Sequence, residues 1–456
     1  MPSIGPNKPL YAAIARALAE DIGAGRLRPG DELPTQRELA DGLGVSVGTI
    51  TRAYRAAERR GLIRGEIGRG TFVTGAPMDE YGAAEFEPTT PGVIDLAVVR
   101  PLYGLDPDLA PAMRELARLP ALPELLHYQP NAGMRRHRAA GSQWVSRFGV
   151  HSDAENVIVC AGTQHALTVT LSTLCKPGDS LFVEELTYPG LRALANLLKL
   201  KMVPLPTDGD GLIPAAFESA CRQRRASALF AMPTIHNPLT VTIPEARRRE
   251  IAGIASKYGV AIIEDAINHL LADDPPPPLS VFAPEISYFI AAMSKVVTGG
   301  LRVAYLVAPK DSIDLLTRAV WATNWMTAPL CAEIATMWIE NGTADNTLGH
   351  KRTEARDRVN IAREILDGFE LRCNDFGHHA WLTLPDPWRS AAQFAEEARR
   401  RGVAVASADV FAVGGNPPVG VRLSLSAPPD REVLSAGLRK LKQVLGAGPG
   451  LGSAIV

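Results

Sequence analysis

Cysteine is scarce, and its placement suggests no chemistry. The five residues Cys160, Cys175, Cys221, Cys331 and Cys373 are dispersed, with no Cys-x-x-Cys pair and no histidine at ligand spacing. That argues against a disulfide framework or a zinc module, so no metal is expected and the thiols read as buried groups in a reducing compartment. Long apolar runs are missing as well. No stretch reaches 18 uninterrupted apolar residues and no amino-terminal segment resembles a signal peptide, so a cytoplasmic protein is expected. Neither sign of charge dominates, with 48 Lys/Arg against 49 Asp/Glu. There are no internal repeats, and the one low-complexity run is Pro275–Pro278, read as a stiff surface loop.

The 456 residues exceed what one small core organises, so two or three domains are expected. Charge is unevenly spread. Residues 1–75 hold 11 Lys/Arg against 8 Asp/Glu, and residues 51–75 hold 6 against 2. Such a surplus suits a module that meets nucleic acid, and equally a solvated basic helix.

The first 75 residues have the punctuation of a compact unit. Leu10, Ile14, Leu18 and Ile22 follow helical spacing and stop at Gly23–Gly25. After Pro34, Thr35 with Glu38 predicts a capped second helix ending near Gly44, and Ser46 starts a third that runs to about Arg60. Leu62–Arg64 and Thr71–Val73 alternate around Gly68-Arg69-Gly70 as a hairpin. Helix, helix, turn, helix, hairpin is a winged helix-turn-helix. The run Gly25 to Ala40, then Leu43-Gly44-Val45-Ser46, Gly61-Leu62-Ile63 and Gly68 to Val73, resembles the GntR family of bacterial regulators. That resemblance implies binding to double-stranded DNA. Ser46, Val47, Thr49 and Arg52 on the third helix would face the major groove, with Thr35 and Arg37 before it. Arg69, between two glycines, would reach the minor groove. Val47 stands where relatives commonly have Arg, so a bidentate base contact is absent there.

Residues 76–92 bring prolines, acids and no periodicity, as a linker does. From residue 93 the pattern changes. Asn156–Cys160, Ser180–Val183, Leu229–Met232, Val260–Ile263 and Tyr288–Ala291 are short and apolar, as buried parallel strands are. Helical stretches separate them, predicting an α/β domain over 93–330. A smaller α+β subdomain is expected over 331–456, with strands at His379–Leu384, Val403–Ala406 and Val421–Leu425.

Within this body Ser294-Lys295 follows an apolar strand and precedes Gly299-Gly300-Leu301-Arg302. Ile262-Ile263-Glu264-Asp265 ends another strand in carboxylates, and Gly162-Thr163-Gln164 turns from a strand into a helix. These segments, with Tyr188-Pro189, Pro233-Thr234-Ile235-His236-Asn237-Pro238 and Val421-Arg422-Leu423-Ser424, resemble the fold type I aminotransferases. The resemblance implies pyridoxal 5'-phosphate as cofactor. Lys295 would form the Schiff base and Asp265 would pair with the ring nitrogen. Gly162, Thr163, Gln164 and Arg302 would serve the phosphate, Ser294 would bind the cofactor beside Lys295, Tyr188 would serve the ring face and Asn237 the phenolic oxygen. Arg422 would clamp a substrate carboxylate. Tyr128 to Gly133 resembles a segment of a pocket shared between subunits, which implies a homodimer. Three positions depart from the pattern. Ile267 or Asn268 replaces a tyrosine, Ala292 a serine, and Gly299 a proline.

A GntR head on such a body resembles the MocR subfamily of regulators. What that implies is a regulator that senses an amino compound, or the cofactor itself, through Lys295, with turnover well below that of ordinary enzymes. The alternative is an active aminotransferase with an appended DNA-binding domain.

Overall fold

The structure is a computed structural model. It describes residues 10–23, 26–27, 31–59, 62–66, 70–73, 92–414 and 417–448. The chain divides into two compact units, Met1–Glu87 and Pro88–Val456. No helix among the described residues is long and apolar enough to cross a membrane.

The amino-terminal unit has helices Leu10–Gly23, Gln36–Leu43 and Val47–Arg59 and a three-stranded antiparallel sheet. Gly70–Val73 is the central strand, between Ile63–Glu66 and Glu32–Leu33. The last strand is only two residues long and runs into Pro34, too short to leave an alternating pattern. Thr35 and Glu38 close the expected reciprocal cap: the Glu38 amide donates to Thr35 Oγ1 (3.3 Å) and the Thr35 amide to Glu38 Oε2 (2.9 Å). The helix stops at Gly44, whose φ of 65° suits a residue without a side chain. Ile50, Ala53, Tyr54 and Ala57 recur at helical spacing and bury one face of the third helix. The Tyr54 hydroxyl donates to Pro34 O (2.7 Å) and Thr51 Oγ1 to Gln36 Oε1 (2.6 Å), fixing the second and third helices against each other.

The body is built on a seven-stranded sheet. Its order is Val157–Cys160, Ala304–Val307, Ser287–Ala292, Ala261–Asp265, Ala228–Ala231, Ser180–Glu184, Lys201–Leu205. All strands run parallel except Ala304–Val307, which is antiparallel to both neighbours. The five strands read from apolar runs are present, with ends moved by a residue or two. Lys201–Leu205 escaped that reading because, as an edge strand, it buries only Leu205 and carries Pro204.

A second, five-stranded sheet has the order Leu371–Cys373, His379–Thr383, Gly420–Ser424, Val403–Ser407, Ile94–Leu96. The last of these corrects the expected start of the large domain. Residues 94–96 pair in parallel with Val403–Val405, so the chain enters the body through the smaller subdomain. Leu96, Trp381, Leu382, Phe394 and Val421 share that subdomain's core. Sequence order could not reveal it, because the partner strand lies at the other end of the body.

Candidate cofactor site and nucleic-acid interface

In the head, Thr35, Arg37, Ser46, Val47 and Arg52 are exposed and Thr49 is half-buried. Ser46 Oγ accepts the Thr49 amide (3.2 Å), so Ser46 caps the third helix and its side chain is partly committed. Val47 is 43% exposed, an apolar side chain held out to solvent at the start of that helix. Arg69 lies outside the described residues.

In the body, the strand ends gather the remaining residues. Cys160, Glu184, Ala231, Asp265 and Ala292 all end strands at one edge of the sheet, and the antiparallel strand starts there at Ala304. Arg302, just before Ala304, is thereby returned to the loop after Cys160. The contact is close, since a Cβ built on Gly162 would lie 2.4 Å from Arg302 Nη2. Glycine at 162, with a φ of 83°, therefore both makes the turn and leaves room for the guanidinium. Helix Thr163–Leu174 begins here with no side-chain cap, and Thr163 Oγ1 is buried without a hydrogen-bond partner. An uncapped helix start, an orphan hydroxyl and a guanidinium form a cradle suited to a phosphate.

Gln164 does something its sequence position did not suggest. Its side-chain amide donates to Gly190 O (3.0 Å), tying the cradle to the turn that carries Tyr188. The Tyr188 ring lies over Gly190, whose built Cβ would meet it at 2.3 Å. Tyr188 and Ile267 are half-buried and pack against one apolar cluster that includes Cys160, Leu167 and Ile263.

Asp265 is buried and accepts the Ile267 amide (3.1 Å). Burial pushes its carboxyl up to about 7, against the pull of that hydrogen bond and of the Lys295 charge. Its neighbour Glu264 points to the opposite side of the strand and is also raised by burial; it takes the amides of Leu279 (3.1 Å) and Ser280 (2.7 Å). Ser294 is buried, and Lys295 Nζ donates to Val99 O. Arg422 is 3% exposed. It donates to Asn237 Oδ1 (2.8 Å) and Ala97 O (2.6 Å) and lies over the Phe411 ring at 4.7 Å. With its oxygen taken, the Asn237 amide nitrogen is left as the donor for a ring oxygen. Asn268, at the missing tyrosine, is buried and donates to Ile235 O (2.9 Å).

Two residues went unremarked in the sequence. Arg248 is fully buried and donates to Ile243 O (2.7 Å), Pro233 O (2.8 Å), Thr234 Oγ1 (2.9 Å), Pro276 O (3.1 Å) and Pro277 O (3.0 Å). It thus holds both the Asn237 loop and the proline run, and burial lowers its guanidinium to about 10. The available signal was its place on the buried stripe of its helix with Ile251, Ala252 and Ala255. His165 accepts the Ala161 amide at Nδ1 (3.0 Å), so Nε2 carries the proton toward Thr323 Oγ1 (2.9 Å). This bond shapes the cradle from below.

Residues 10–73 match the gntR family of bacterial regulatory proteins, and residues 91–441 match aminotransferase class I and II. The HTH-type transcriptional regulator YdeF of Bacillus subtilis is 33% identical over 441 residues, 96% of this chain and 95% of its own. The chain belongs to the regulators that join these two families. This is the architecture of the MocR subfamily, and a further relative is PdxR of Corynebacterium glutamicum, an HTH-type pyridoxine biosynthesis transcriptional regulator. PdxR is 26% identical over 84% of this chain and 86% of its own. Among solved structures, the Pyrococcus horikoshii kynurenine aminotransferase superposes with a TM-score of 0.73 at 22% identity, covering 78% of this chain and 92% of that one. The body of this MocR-type protein therefore has the fold type I aminotransferase architecture, and the protein is a pyridoxal-phosphate-dependent, DNA-binding transcriptional regulator.

Proposed function

We propose that this regulator senses an amino compound in the body and alters its hold on operator DNA in response. The supporting observation is that Arg422, bonded to Asn237 Oδ1, and Lys295, whose charge acts on buried Asp265, both reach the same 97–99 segment, with Asn268 tied to Ile235 O where a phenol would stand. When bound, pyridoxal phosphate supplies an electrophilic carbon and an electron-withdrawing ring. The protein's side chains do the rest. Gly162, Thr163, Gln164 backbone, Ser294 and Arg302 hold the phosphate, Tyr188 covers the ring, and Asn237 donates to the phenolic oxygen. Asp265 keeps a proton at the ring nitrogen, Lys295 gives the covalent attachment, and Arg422 takes a carboxylate. With Ile267 and Asn268 in place of the tyrosine, that position gives the phenolic oxygen no hydroxyl partner beside the Asn237 amide, which favours binding over turnover.

In the head, Thr35, Arg37, Ser46, Val47, Thr49 and Arg52 meet the duplex, joined by Arg69. The exposed aromatics Tyr128 (80%), Trp325 (46%) and Trp321 (53%), each ring within 5.9 Å of the next, are covered by a second copy in a cytoplasmic homodimer. A second candidate signal is the cofactor itself, in keeping with PdxR's description as a pyridoxine biosynthesis regulator.

The test is a titration of amino compounds against the cofactor's visible band and operator affinity, with keto-acid formation followed in parallel. A spectral change that moves operator affinity, with turnover well below about 1 per second, is expected. Sustained rapid keto-acid production would instead make the body an enzyme. Asn268→Tyr, which returns a phenol to the position where Asn268 is tied to Ile235 O, should raise half-reaction turnover.

A further inference from the structure

The segment that leads from the linker into the body is held by the two cationic groups that the proposed sensor needs. Strand Ile94–Leu96 ends in a turn in which Asp95 Oδ1 accepts the amides of Ala97 (2.8 Å) and Val98 (3.2 Å), while Asp95 Oδ2 pairs with Arg100 (3.0 Å). Three carbonyls of residues 97–100 are then gripped. Arg422 Nη2 donates to Ala97 O (2.6 Å), Lys295 Nζ to Val99 O, and Ser426 Oγ to Arg100 O (2.5 Å). Farther on, Asp106 takes Lys351 Nζ at Oδ1 (2.5 Å) and Thr298 Oγ1 at Oδ2 (2.7 Å); Lys351 also donates to Val297 O (2.7 Å), two residues from Lys295. Residues 97–100 are half-buried, so they cross the site as a strap rather than as part of its core.

We infer that this strap reads the two kinds of ligand separately, Val99 reporting the cofactor and Ala97 reporting a carboxylate. It rests on the sensing role proposed above. The chemistry sets the logic. When Lys295 condenses with the cofactor aldehyde, a carbon–nitrogen double bond forms, the carbonyl C=O breaks, and water leaves with both amine hydrogens. The nitrogen that remains carries at most one proton, directed to the cofactor's own oxygen, so Val99 O loses its donor. An incoming primary amine exchanges for Lys295 on that carbon and returns Lys295 to its primary-amine form, which restores the donor. If the incoming amine also bears a carboxylate, Arg422 turns its Nη2 edge to the anion, because a charged acceptor outcompetes a carbonyl, and Ala97 O is released. A ligand shifts a conformational equilibrium only through contacts that differ between its states, and here the differing contacts are named. Little more than strand Ile94–Leu96 separates the strap from Gly92, on the side of the body that leads in sequence to the head.

The experiment uses the full-length protein with cofactor bound. Amide hydrogen exchange of the peptide covering residues 97–106 is followed with and without the cofactor, then with an α-amino acid active in the spectral titration and with its decarboxylated amine. Removing the cofactor should slow exchange; the amine, which only restores the Lys295 donor to Val99 O, should slow it too, and the amino acid, which also draws Arg422 from Ala97 O, should leave exchange faster than the amine does. Ser426→Ala removes one grip without touching the groups assigned to the ligand. It should raise strap exchange about two- to tenfold, the equivalent of one hydrogen bond, leave the cofactor band unchanged, and move operator affinity part-way to its value with the amino acid. Operator affinity that responds to the amino acid while strap exchange and Ser426→Ala stay silent overturns the strap and leaves the sensor standing. No amino-compound effect on band or operator removes the sensor, and the strap is then judged by the cofactor arm alone, where unchanged exchange overturns it.

Discussion

Replacing Asp265 by Asn should make the cofactor-stripped protein more stable at alkaline pH while weakening its hold on the cofactor. Burial raises this carboxyl from 3.8 to about 7. Below about pH 4 it is protonated in folded and unfolded chains alike and has no effect on stability. Between about pH 4 and 7 the unfolded chain gives up the proton and the folded one keeps it, so stability falls as pH rises. Above about pH 7 the whole cost is present, roughly 4 kcal/mol at 1.36 kcal/mol per tenfold change in proton affinity. The substituted side chain would still accept the Ile267 amide, but its own amide hydrogens lack a charged partner, which costs about 1–3 kcal/mol. The net expectation is a gain of about 1–3 kcal/mol at pH 8 and none, or a loss, near pH 4. Calorimetric unfolding of the body's transition at several pH values, with parent and variant side by side, measures it. Parallel pH dependences would refute the assignment of a buried, proton-holding Asp265. Adding cofactor should reverse the order at pH 8, because the ring nitrogen's proton gives the parent's carboxylate its partner.

Thr163→Ala should weaken cofactor binding about ten- to a hundredfold, the value of a hydrogen bond to a charged group, with Arg302→Ala at least as severe; equilibrium titration of the visible band checks both. Arg248→Leu leaves several buried carbonyls without donors and should destabilise the body by about 3–5 kcal/mol in denaturant unfolding. Arg37→Ala and Arg52→Ala should each lower the salt slope of operator binding by about one, the mark of a lost phosphate contact; an unchanged slope for both would move the DNA-facing surface elsewhere on the head.

Local chemistry is what the sequence determined. The cap at Thr35 and Glu38, the αL stop at Gly44 and the apolar runs at Val157–Cys160 and Ala261–Asp265 depend on neighbours within a few residues, so composition and spacing sufficed. The candidate cofactor residues were read from the resemblance of their segments to the fold type I aminotransferases, and several of those segments, such as Gly162-Thr163 and Glu264-Asp265, lie where a strand ends. Tertiary structure decided the rest, because the partners are remote in sequence. The antiparallel return of Ala304–Val307 sets Arg302 over Gly162. Pairing of Ile94–Leu96 with Val403–Ser407 draws the body's first strand into the smaller sheet, and so lays Ala97 and Val99 across Arg422 and Lys295. The burial that sends Arg248 into a nest of carbonyls is likewise a property of packing. A carbonyl has no side-chain identity to read, so contacts made to backbone oxygens are silent in the sequence until the fold brings donor and acceptor together.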